Sequence, residues 1–302
     1  MLLCCDNVRL IVVICCVNNM LCHIQKHNMS EPIENLSEFV DKVADLDITE
    51  GRSLFFRGHA NQEYRIQPSL FRNEGYMRNE RRMVKEVISE NPGDFKSDEN
   101  IFDKLVRMQH FNLPTRLLDL TSNPMAALWF ACEHTEVNGE VIIFDVPDNI
   151  IKHFDSDSTF ILSSLARIKE KDKTKIRYLL ETERDDSFSE NWTIEKMLHK
   201  IKDEKPHFPD YVDPDLLDGA TFVKPKMNNV RIKSQSGLFI LFGMLKEIDK
   251  EGYKDVKISS IAVDKNKKLK IKNTLDMINI NEKTLFPFIE KTANYISRKY
   301  IS

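Results

Sequence analysis

Glycine is scarce in this chain. There are nine in 302 residues, at 51, 58, 75, 93, 139, 219, 237, 243 and 252, and no two lie closer than six positions. A phosphate-cradling P-loop needs glycines five apart followed by Lys, and the dinucleotide fingerprint needs them two and three apart. Neither occurs, so any nucleotide must be held by another route. Cysteine is nearly absent from the body of the protein. Five of the six (Cys4, Cys5, Cys15, Cys16, Cys22) fall in the first 22 residues, and Cys132 stands alone in an apolar stretch. A body without cysteine pairs points to a reducing, cytoplasmic setting. The early cysteines, with His23 and His27, lack paired metal-ligand spacing, and no carboxylate cluster suggests a catalytic metal. An excess of either charge is missing too. The net charge of −3, from 44 basic and 47 acidic residues, gives no broad attraction to nucleic acid. The apolar run Leu10–Val17 lacks a small-residue cleavage site and is too short to span a bilayer, so no membrane association is expected.

What is present suits a soluble globular protein: 41% apolar residues and 30% charged. Met29-Ser30-Glu31-Pro32 opens a capped sequence, so residues 1–28 are expected to be a leader or an over-long reading frame. Residues 29–302 then form a single domain. Asn35-Leu36-Ser37 caps a short amphipathic helix carrying Phe39, Val40, Val43 and Leu46. Consecutive apolars make Ser53–Arg57 a buried strand, with Tyr64–Gln67 a candidate partner. Helical sequence follows at 77–90 and again after Asp98, read as an N-cap. Asn112 sits where a helix closes in a left-handed residue, and Pro114 forbids continuation. Thr121-Ser122-Asn123-Pro124 reads as the start of a helix, Met125–Ala131, that is apolar nearly all round and therefore buried. Strands are expected at Gly139–Val146, Thr221–Val223, Val230–Ile232, Gly237–Phe242 and Val256–Val263, with a helix near 265–277. Residues 165–205 read as a charged, solvated helical insertion. Together these predict an α+β fold with a mixed, mainly antiparallel sheet around a buried central helix.

Three clusters carry candidate chemistry. Arg57 ends an apolar strand just before Gly58, which buries its stem and turns its head to a cleft. A buried guanidinium needs an anion, and both a ligand and a structural pair with Asp119 satisfy that need. Thr115, Arg116, Asp119 and Thr121 crowd a segment read as a polar loop, flanked by Gln109 and His110. The N–H groups at the start of the following helix would give it a seat for an anion, whereas Asp119 and Thr121 could equally tie up turn backbone. The third cluster, Arg231 to Phe239, centres on Gln235, which can orient a sugar or amide but cannot act as a base. His59 and His110 are read first as structural hydrogen-bonders.

These clusters resemble the FRG domain family, named for its Phe-Arg-Gly motif. The match runs through Phe56-Arg57-Gly58, Pro68-Ser69-Leu70-Phe71-Arg72, Gln109-His110 to Thr121, Asn123–Ala131, Arg231 with Gln235 and Gly237, and Leu285-Phe286-Pro287. Departures are His59 where the family commonly has Gln, Asn112 where it has Gly, and Leu120 where it has Trp. The family's layout is in turn similar to ADP-ribosyltransferases. That implies an NAD-consuming transferase or hydrolase, acting as a toxin or defence effector on an unknown macromolecular acceptor. The alternative is a non-catalytic module that senses a nucleotide in the same pocket. On this resemblance Arg57, Asp119, Thr121 and Gln235 would be catalytic. Arg57, Gly58, His59, His110, Thr115 and Arg116 would contact NAD, and no metal would take part. The glutamate of active transferases is missing from the third cluster, and Asp119 would have to replace it.

Overall fold

The computed structural model describes residues 31–226, 237–287, 293 and 295–297. Its centre is a seven-stranded sheet in the order β4-β5-β6-β2-β1-β3-β7. The strands are β1 (Arg52–His59), β2 (Leu117–Thr121), β3 (Gly139–Pro147), β4 (Ile151–His153), β5 (Ala220–Lys224), β6 (Gly237–Phe242) and β7 (Lys257–Val263). Among the described strands only β4 and β5 pair in parallel; the other neighbouring pairs are antiparallel. The expected α+β class, mixed and mainly antiparallel, is the one found.

Alternation along the strands explains the layers, because successive side chains point to opposite faces. Leu117, Val223, Phe239 and Leu241 share a core with helices α2 (Glu74–Glu90), α3 (Ile101–His110), α5 (Asp157–Ser164), α6 (Glu170–Thr182) and α7 (Trp192–Lys202). Phe56, Val141 and Ile143 join α4 (Pro124–Ala131) and α1 (Leu36–Ala44). The residues between them, Phe55, Leu118, Leu120, Ile142, Phe144 and Ile240, face the other side of the sheet with Ile66 and Ile248. Two consecutive phenylalanines in β1 therefore serve two cores.

Helix α4 is buried as expected. Asn123 caps it, Pro124 opens it, and Leu128 is wholly enclosed, a burial that stabilises the fold by about 2 kcal/mol. Gly58 lets it lie directly on β1. A Cβ there would stand 1.9 Å from the Ala127 carbonyl oxygen and 2.8 Å from the Phe130 Cβ. Asn112 takes φ +62°, the left-handed conformation expected of it.

Several expectations need correction. Residues 117–121 are a central strand, because Leu117, Leu118 and Leu120 are needed by cores on both faces. The segment near Tyr64–Gln67 does not pair with β1; Ile66 bridges Ile248 instead. Asn100, not Asp98, caps α3, and Asp98 binds the Arg107 guanidinium through both oxygens. The helical region at 165–205 is no solvated appendage. Ile176, Leu179, Ile194, Met197 and Ile201 are buried in the largest core. The strand expected at Val230–Ile232 lies outside the described residues.

Candidate functional site

The sheet parts at its middle. β1 and β3 are in register from Arg52↔Pro147 to His59↔Glu140, whereas β1 and β2 share the single registered pair Phe56↔Thr121. Beyond that pair, residues 57–58 and 119–120 face each other across a cavity of about 150 Å³. Its walls are Phe56, Arg57, Gly58, Asp119, Leu120 and Thr121 from the two strands, with Ala127 and Phe130 of α4 closing one side. A space of this size takes one ring-sized group.

Arg57 spans the gap. Its Nη1 donates to the Asp119 backbone oxygen at 2.7 Å, replacing a ladder hydrogen bond the parted strands cannot make. Its Nε donates to His59 Nε2 at 3.2 Å. Nη2 has no partner among the described residues, and neither does the charge: Arg57 forms no ion pair there. Burial lowers its pKa to about 10, with Asp119 opposing that shift and Arg72 adding to it. The guanidinium stays charged at neutral pH, and an anion in the cavity would gain much from it.

His59 sits behind Arg57 and is 2% exposed. Burial lowers its pKa to about 4 against the raising effect of Glu140. The neutral ring suits both neighbours: Nδ1–H donates to Glu140 Oε1 at 3.1 Å, leaving the Nε2 lone pair for Arg57. Lys250 donates to the same Glu140 oxygen and anchors the relay. The sequence reading missed both Glu140 and Lys250. The β1–β3 register that sets Glu140 opposite His59 is the signal that finds the former.

The carboxylate of Asp119 is oriented from the other side. Gln109 Nε2 donates to Asp119 Oδ2 at 2.7 Å, and Thr115 Oγ1 donates to Gln109 Oε1 at 2.8 Å. Thr115 also accepts the Leu117 N–H at 3.1 Å. Thr115 therefore acts two bonds away from the cavity, correcting its assignment as a ligand contact. Gln109, flagged only as a flanking residue, is the link that matters. Thr121 lines the cavity and its hydroxyl accepts the Asn123 N–H at 3.0 Å.

Arg116 is the clearest correction. It is 1% exposed and its donors are all turned inward. Nε and Nη2 grip Glu80 at 2.7 and 2.6 Å, and Nη1 bonds the carbonyls of Phe242 and Gly243. Lys173 of α6 also binds Glu80. Burial would raise the Glu80 pKa, but the two cations outweigh it and hold it at about 2. Arg116 is thus a core ion pair and cannot reach a ligand. His110 lies at the end of α3 with its ring edge-on to Phe111, 4.9 Å between centroids, and is not on the cavity wall. The expected anion seat at the start of α4 is filled from within the chain, since Asn123 Oδ1 accepts the N–H groups of Met125 and Ala126. Gln235 lies outside the described residues.

The structure therefore gathers Arg57, Gly58, Asp119 and Thr121 at one cleft, holds His59 behind it, and leaves Thr115, Arg116 and His110 off its wall. Buried Cys132 is inert, its thiol pushed up to about 12 by burial. Among the described residues no three His, Cys, Asp or Glu side chains are grouped to hold a metal, and no helix is long and apolar enough to cross a membrane.

Such a molecule is an α+β protein with an arginine-lined cleft opened between two central strands. Residues 52–140 match the family model of the FRG domain, so the chain contains an FRG domain. That span runs from the start of β1 into β3 and includes every described wall of the cleft. No curated protein and no solved structure matches the chain.

Proposed function

We propose that the cleft between β1 and β2 is a nucleotide-binding site, with Arg57 taking an anionic group and NAD the ligand. The observation that carries this reading is the Arg57 guanidinium. It is half-buried, has no ion pair among the described residues, and lies on the wall of a ring-sized cavity. Leaving such a charge without a counter-ion is costly, and a bound anion removes that cost. The volume of about 150 Å³ admits one end of a dinucleotide, a nicotinamide or a ribose with its phosphate; the remainder would lie outside it. Because the wall is made by β1, β2 and α4, this reading needs no glycine-rich loop.

A second reading, cleavage of NAD, draws on Asp119. Its carboxylate stands on the same wall, held by Gln109, where it would stabilise the oxocarbenium formed as nicotinamide leaves the ribose. Water or a macromolecular acceptor would then add to the ribose carbon. Depleting NAD in this way would suit a toxin or a defence effector.

The test has two parts. NAD and ADP-ribose should raise the melting temperature of the wild type and leave that of Arg57→Gln unchanged. Equal stabilisation of both would remove the binding reading. Nicotinamide release by the wild type, lost in Asp119→Asn, would support cleavage. Ligand-induced stabilisation without release, with or without cell extract, leaves a binding module only.

A further inference from the structure

We propose that a second site, formed by α2, α3, α7 and the turn Leu165–Arg167, binds a multiply phosphorylated small molecule. It is independent of the Arg57 cleft and shares no residue with it. A groove of about 350 Å³ is bordered there by Arg81, Lys85, Lys104, Arg167 and Lys200, with Glu204 the single acidic wall residue. Its floor is aliphatic, from Val84, Ile88, Ile101 and Ala166.

The charges do not cancel locally. Glu204 takes Arg167 at 2.7 Å, and Asp203 takes Lys200 at 3.1 Å. Arg81, Lys85 and Lys104 have no ion-pair or hydrogen-bond partner for their side chains among the described residues. The other arginines of the same stretch of α2 do: Arg78 binds Glu74 and Arg82 binds Glu86. In a chain of net charge −3, three uncompensated cations from two helices around one concavity make a local excess that attracts polyanions. Arg81 and Lys104 are half-buried, so salt screens them less than free surface charges.

Shape decides the ligand class. The volume falls at the lower end of small-molecule pockets, and four elements close around it. A nucleic-acid backbone needs an extended basic stripe. The aliphatic floor offers no aromatic ring on which a base could stack. A compact chain of phosphates meeting three to five cations fits better.

The test uses tripolyphosphate as probe and the full chain. Wild type should bind it, with affinity falling as salt rises, and Lys85→Gln/Lys104→Gln should weaken binding about tenfold or more. Arg57→Gln should leave that affinity unchanged. Three results would overturn the proposal: no binding to wild type at low salt, equal binding to the double variant with its melting temperature intact, or loss of binding in Arg57→Gln alone. A single-stranded oligonucleotide that binds more tightly than tripolyphosphate and depends on the same lysines would also overturn it, in favour of nucleic acid.

Discussion

Replacing His59 by Gln should remove a pH-dependent part of the stability. His59 is 2% exposed and its pKa falls from the ordinary 6.5 to about 4, chiefly through burial. The folded protein therefore holds this ring neutral where the unfolded chain already protonates it. The unfolded state gains its proton as pH drops below 6.5, and the folded state follows only near 4. Stability contributed by the neutral ring is complete above pH 6.5 and is lost as pH falls towards 4. At about 1.4 kcal/mol per pH unit the whole loss comes to about 3 kcal/mol, with about 2.5 kcal/mol gone by pH 4.5. A glutamine amide offers the same two bonds, its oxygen accepting from Arg57 and its nitrogen donating to Glu140, without a proton to gain. Urea unfolding of wild type and His59→Gln from pH 7.5 to 4.5 measures the difference. Carboxylates titrate in both proteins and largely cancel. The variant should gain on the wild type by about 2.5 kcal/mol across that range. A difference that stays flat within about 0.5 kcal/mol would refute the assignment of His59 as a neutral acceptor for Arg57.

The remaining expectations concern packing and the buried charges. Gly58→Ala places a Cβ 1.9 Å from the Ala127 carbonyl oxygen, so α4 must move off β1. The cost should be about 3 kcal/mol, read by denaturant unfolding, and wild-type stability would show that the contact is not close. Glu80→Gln leaves Arg116 and Lys173 as buried cations without a carboxylate. A loss of about 3–5 kcal/mol is expected, and a drop under 1 kcal/mol would mean water reaches the pair. Asn112→Ala at φ +62° should cost about 1 kcal/mol in chemical unfolding, while Asn112→Gly should not destabilise.

Much of the framework was legible because local chemistry dictates it. Asn123-Pro124 before seven apolar residues marked the start of a buried helix, and the apolar patterns at Gly139–Val146, Gly237–Phe242 and Val256–Val263 marked strands. Arg57 after Leu54-Phe55-Phe56 announced a guanidinium with a buried stem. The polar run from Thr115 to Thr121 misled, because burial in a central strand depends on which neighbours cover it. Arg116 is drawn into the core by Glu80 and the carbonyls of Phe242 and Gly243, while Asp119 lines the gap.

Sequence alone determined the buried helix after Asn123-Pro124, the FRG motif, and the exclusion of glycine-rich nucleotide loops, since each rests on residues adjacent in the chain. Tertiary structure decided which arginine is available. Arg57 and Arg116 look alike in sequence, but Glu80, 36 positions before Arg116, neutralises it in the core. Among the described residues Arg57 meets a carbonyl across the parted strands and a neutral ring on its own strand. Charge compensation is settled by what long-range folding brings within reach, and no local pattern encodes it.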